Sequence, residues 1–117
     1  TKEHIDKALN DPNTYVRAAA ARNPNATKEH IDKALNDEDS MVRIRAIEHP
    51  NATSEHIDKA LNDPHRGIRV SAIRNPNATP KHISRVLNNM DNEHHTVVDA
   101  ARESPHADKA YDILGWE

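Results

Sequence analysis

Apolar residues recur at Ile5, Ala8 and Leu9, at Ile31, Ala34 and Leu35, at Ile57, Ala60 and Leu61, and at Ile83, Val86 and Leu87. Within each group the three- and four-residue steps trace one face of a helix. Between groups the step is always 26 residues. A second apolar set follows each group, as in Val42, Ile44, Ala46 and Ile47. At 100° per residue these four span one wide arc, leaving Met41, Arg45 and Glu48 on the other side. The pattern predicts pairs of short helices, A and B, repeated along the chain. Self-similarity at such a period is the mark of stacked repeats, each touching mainly its neighbours.

The phrase "NPNATKEHIDKALND" (23–37) supplies the punctuation. Asn23-Pro24 stops a helix, because the residue before proline disfavours the α region and Asn tolerates a left-handed position after a helix. Thr27 is then the N-cap of helix A, and Pro80 directly after Thr79 supports that register. Helix A is predicted over roughly 28–36, with Ala26 and Ile31 placed as a hydrophobic staple. Glu29 and Lys33 form an i,i+4 pair on its outer face. Asp37 is expected to cap helix B, roughly 38–48, as are Asp11 and Asp63, each followed by proline.

Arg43 falls inside the apolar arc of helix B, where a charge needs a partner. Asp37 lies six residues upstream, as Asp11 does of Arg17 and Asp63 of Arg69. These six residues are expected to form a ladder of Asp–Arg hydrogen bonds, within or between repeats. The fourth unit needs a three-residue insertion, and there the two positions become Asn89 and Val98. Asp99 and Arg102 replace Ile44 and Ile47, the polar outer face of a capping repeat. "SPHAD" (104–108) is a worn copy of NPNAT. A last helix over 109–114 should end at Gly115, with Tyr111, Leu114 and Trp116 folding back over the end.

The expected fold is therefore all-α: a right-handed α-solenoid of four 26-residue two-helix repeats, about 40 Å long from helix packing distances. The repeats are 1–26, 27–52, 53–78 and 79–107, with a C-terminal cap at 108–117. The N-terminal end has no such cap. Ile5 and Leu9 lack a preceding unit there, so fraying or weak end-to-end association is expected of an otherwise monomeric chain. The sequence opens inside a repeat and reads as a piece of a longer array.

Composition changes this picture little. Leu, Ile, Val and Phe make up 20 of 117 residues, and sixteen alanines fill much of the rest, which suits closely approaching helices. The formal net charge of −3 implies no overall attraction to nucleic acid or membrane. The longest purely apolar run is Ala18–Ala21, too short for a signal peptide core or a membrane span. Thiolate metal sites are excluded because the chain has no cysteine.

"VRAAAARNPNATKEHIDKALND" (16–37) resembles the leucine-rich repeat variant family, and the D-x5-R spacing with "VRxxA" is similar to HEAT repeats. The resemblance covers nearly the whole chain outside the 90–96 insertion and the tail. It implies an α-solenoid. HEAT-like proteins mostly serve as protein-binding scaffolds, and a minority bind nucleic acid, including a HEAT-like class of DNA glycosylases. The resemblance carries over a fold and no catalytic residue.

Candidate chemistry is sparse. His4, His30, His56 and His82 form a column at the same 26-residue step. Neighbours in such a column sit about one helix packing distance apart, too far to share a metal ion. Packing at the helix start is the expected role. The loop "DNEHHT" (91–96) offers Asp91, Glu93, His94 and His95 as a candidate divalent metal site, against the commoner solvated reading. Serines are scattered, and with two glycines no phosphate loop exists. Neither catalysis nor a cofactor is expected. The outward residues of the B helices vary from unit to unit: Tyr15 and Arg22, then Met41, Arg45 and Glu48, then Arg74. Tyr, Met and Arg are enriched at interface cores. They are the expected partner-binding residues of a protein–protein interaction scaffold, the alternative being phosphate-backbone binding by Arg22, Arg45 and Arg74.

Overall fold

The structure, a computed structural model, describes residues 1–116. Among them it contains nine α-helices, one 3-10 turn and no strand. The helices are α1 (Lys2–Ala8), α2 (Thr14–Arg22), α3 (Lys28–Leu35), α4 (Ser40–Ile47), α5 (Ser54–Ala60), α6 (Arg66–Arg74), α7 (Pro80–Asn88), α8 (His95–Glu103) and α9 (Ala107–Leu114). Consecutive helices pair, α1 with α2, α3 with α4, α5 with α6 and α7 with α8. The second members pack directly on one another, α2 on α4, α4 on α6 and α6 on α8, and α9 closes against α7. The molecule is elongated, 50 × 22 × 17 Å. It exceeds the expected 40 Å because α9 adds a further layer.

Each of α1, α3, α5 and α7 starts where a threonine hydroxyl accepts the N–H of the third helical residue, as the sequence predicts for Thr1, Thr27, Thr53 and Thr79. The buried apolar side chains form one continuous cluster. Ile31, Val42, Ile47, Ile57, Ile68, Ile83, Leu87 and Val97 are fully buried in it. Burying one such side chain stabilises the fold by about 1.5–3 kcal/mol. Alanines at the same depth (Ala21, Ala46, Ala72, Ala101) let the second helices approach closely.

Two local expectations need correction. Asp37 does not cap helix B: α4 is capped by Asp39, two residues later, and α2 and α6 by Asn13 and His65. The side chains of Asp11, Asp37 and Asp63 instead accept the N–H of Asn13, Asp39 and His65, forming an Asx turn ahead of each cap. Asn23 and Asn75 are extended, at φ −56° and −64°, and no non-glycine residue has positive φ. Proline at the next position forces that conformation. Their side chains then serve as turn acceptors for the N–H of Asn25 and Asn77. At the N-terminal end Ile5 and Leu9 are buried. The residues left open at that end are His4, Tyr15 and Val16.

The C-terminal segment starts at Ala107, two residues earlier than predicted, and ends at Gly115 with φ 74°. The Gly115 and Trp116 N–H groups donate back to Asp112 and Tyr111, a Schellman closure that stacks Trp116 on Tyr111. Glu117, the last residue of the expected cap, lies outside the described residues.

Candidate functional site

The repeated polar residues are consumed by junctions between units. Arg17 donates through Nε to Asp37 Oδ2 at 2.9 Å, and Arg43 does the same to Asp63 at 2.9 Å. Within its own unit no arginine reaches the aspartate side chain: Nη1 of Arg17, Arg43 and Arg69 donates to the backbone C=O of Asp11, Asp37 and Asp63. The ladder thus runs between units, and the carboxylate of Asp11 has no arginine. The bond to Asp37 holds the Arg17 guanidinium above its ordinary pKa. At the last junction Asn89 cannot pair with Arg69. Glu93, from the insertion, takes its place, with contacts of 2.9–3.2 Å to Nε and Nη2. At the next arginine position the chain has Val98.

The histidine column is a second junction. His30, His56 and His82 are buried and complete a capping box: the N–H of Thr27, Thr53 and Thr79 donates to Nδ1 at 2.9 Å in each case. That donor fixes Nδ1 as acceptor and leaves the ring proton on Nε2. Nε2 then lies 2.9, 2.9 and 3.1 Å from the carboxylates of Asp6, Asp32 and Asp58 in the unit before. The asparagines of the NPN phrase add a third tie. Asn51 and Asn77 donate to the C=O of Ala26 and Ala52 one unit back. Asn75, with the buried His49 at the same position, reaches carbonyls of the preceding turn. The threonine, histidine, asparagine and aspartate of the repeated phrase therefore have structural tasks.

What remains is the row of residues that differ between units. Arg22 lines a cleft of about 330 Å³ with Arg45, Glu48, His49 and Pro50. Glu48 turns into the next cleft, of about 280 Å³, with Ser71, Arg74, Asn75 and Pro76. Arg74 also lines a third, of about 230 Å³, together with Glu103 and His106. So Arg22, Arg45, Glu48 and Arg74 are brought together along one edge of the second helices, with Arg45 bonded to Glu48 at 3.0 Å. Tyr15 and Met41 are not part of those clefts. Met41 packs against the core. A Cβ added at the equivalent Gly67 would lie 3.7 Å from Ile44 of the preceding unit. This position therefore leans toward the unit before, and Tyr15 is 73% exposed.

The 91–96 loop is spoken for. Glu93 belongs to Arg69, and the His94 ring accepts the Thr96 N–H to cap α8, stacks on His95 at 4.4 Å and meets Arg66 at 3.1 Å. Burial first, then Arg66 and His95, push the His94 pKa below its ordinary value. Among the described residues no three His, Asp or Glu side chains converge as a metal site would need. No helix there is long and apolar enough to cross a membrane. Comparison with protein-family models, with curated proteins and with solved structures finds no match to this chain.

Proposed function

We propose that the chain is a right-handed α-solenoid of four 26-residue two-helix repeats, of the leucine-rich repeat variant or HEAT-like kind. On this reading it is a non-enzymatic scaffold that binds another protein along the edge of its second helices. The direct packing of α2, α4, α6 and α8 on one another, closer than that of the first helices, supports a curved stack with this row on its inner side. The observation that carries the binding role is the row of clefts between units, lined by Arg22, Arg45, Glu48, Ser71, Arg74 and Glu103. These side chains serve no junction. Their alternation of sign suits a protein surface with both charges. A phosphate backbone would meet Glu48 between the arginines and Glu103 beyond Arg74, which counts against the nucleic-acid reading.

Affinity capture from a source lysate, with and without nuclease, tests this. A nuclease-resistant partner should be lost from the double variant Arg45→Ala, Glu48→Ala while the thermal transition is unchanged. Capture that depends on nucleic acid, with binding falling as Arg22, Arg45 and Arg74 are removed, would replace the proposal.

A further inference from the structure

We infer that the N-terminal face of the chain is a docking surface for a further helical repeat of the same class, bearing aspartate on its first helix and arginine on its second. The inference rests on the stacked-repeat reading. Each internal junction has a giving side and a receiving side. Asp6, Asp32 and Asp58 give a carboxylate to His30, His56 and His82. Arg17 and Arg43 give a guanidinium to Asp37 and Asp63, and Arg69 gives one to Glu93. The apolar centre of the receiving side is Val42, Ile68 or Val97, each 0% exposed.

The N-terminal face carries the histidine, the aspartate and the apolar centre of the receiving side. His4 and Asp11 stand at the positions of His30 and Asp37. His4 is exposed where its three counterparts are buried. Val16 is 37% exposed, and Tyr15 beside it 73%. The internal junctions show what covers such a face.

A second copy of the chain does not fit. Its C-terminal face has lost the giving set: Ser84 stands where Asp58 would recur, bonded to its own helix at Lys81 O, and Val98 stands in place of arginine. Asp99 and Arg102 replace the apolar residues there, and α9 covers α7. Two N-terminal faces set against each other can at best pair His4 with Asp11 across a two-fold axis and bring no arginine, since Arg17 is bonded to Asp37 on the other side.

The test places a copy of residues 27–52 directly before Thr1 of the full chain. Imidazole nitrogen NMR and amide exchange are then read with and without the added repeat. The proposal expects His4 to acquire the Nε2–H tautomer of His30, His56 and His82, and exchange at Ala20 in α2 to slow at least tenfold. Substituting Asp32→Ala and Arg43→Ala within the added copy should reverse both changes. An unchanged His4, with His30, His56 and His82 in their bonded tautomer, would overturn the docking surface alone. Absence of that tautomer from the three internal histidines of the parent chain would overturn the stacked reading beneath it. Self-association of the parent chain with His4 protected, or equal protection by the doubly substituted copy, would also defeat the proposal.

Discussion

His4 and His56 are the same residue in the same phrase, as are Asp11 and Asp63, yet the first pair sits at an end and the second inside a junction. His56 is buried between the Thr53 N–H and the Asp32 carboxylate, whereas His4 is exposed. Asp63 holds Arg43, while Asp11 only turns its own backbone. Sequence position within a repeat therefore fixes what a side chain offers, and the neighbouring unit decides whether the offer is used. Identical substitutions at the two places separate local folding from stacking.

The largest effect should come from Arg43→Ala, which strands Asp63 and frees the carbonyl of Asp37. About 3 kcal/mol should be lost. A denaturation double-mutant cycle sharpens the comparison. Arg43 and Asp63 should be coupled by about 1 kcal/mol or more, and Arg43 and the side chain of Asp37 by close to zero. Coupling to Asp37 in place of Asp63 would return the ladder to the interior of each unit.

Asp63→Ala comes next, at about 2–3 kcal/mol, against about 0.5–1.5 kcal/mol for Asp11→Ala, where only an Asx-turn hydrogen bond is lost. Urea midpoints of the two variants measure the difference. Equal losses would mean that the arginine contributes nothing across the junction. The histidines should follow with a smaller gap. His56→Ala removes a capping-box acceptor and the bond to Asp32, about 1–3 kcal/mol, and His4→Ala only a few tenths.

Local chemistry was readable in the sequence, and register between units was not. Threonine caps, the stop at Asn-Pro and the apolar face depend on residues a few positions apart, so Thr27 and Pro80 announce their helix starts unaided. Pairing across a junction is hidden by the repetition itself. In a 26-residue period, a partner six residues upstream and one twenty residues downstream are the same sequence pattern, so Asp37 and Asp63 are equivalent candidates for Arg43. The histidine ties were missed for a related reason. His30 and Asp32 are two apart on one helix and cannot meet. Stacking places Asp6 where Asp32 cannot reach, and the recurrence of H-x-D was the available signal. Helix B was misplaced by two residues because Asp37 and Asp39 are both Asx-turn formers, and only the second begins the helix. In the candidate site, Arg22, Arg45, Glu48 and Arg74 fall on one edge as their spacing implies. Tyr15 lies apart from that edge.

The smallest effect tests the other end, where the insertion supplies both Glu93 and the cap of α8. His94 is held below its ordinary pKa of 6.5 chiefly by desolvation, then by Arg66. A group whose folded pKa is lowered binds fewer protons folded than unfolded. Its contribution is therefore complete above the unfolded value and is lost as pH falls from about 6.5 toward the lower folded value. His94→Asn removes this titration and keeps a side-chain oxygen to accept the Thr96 N–H, since asparagine is a strong N-cap. At pH 7.5 the variant should match the parent chain closely in urea. Between about pH 6.5 and 5 its stability should fall less steeply. The counterpart substitution Asn13→His in α2, where no Arg66 equivalent faces the cap, should leave that slope nearly unchanged. A His94→Asn chain that keeps the full parental slope would place the pH dependence on other groups and reduce His94 to a cap.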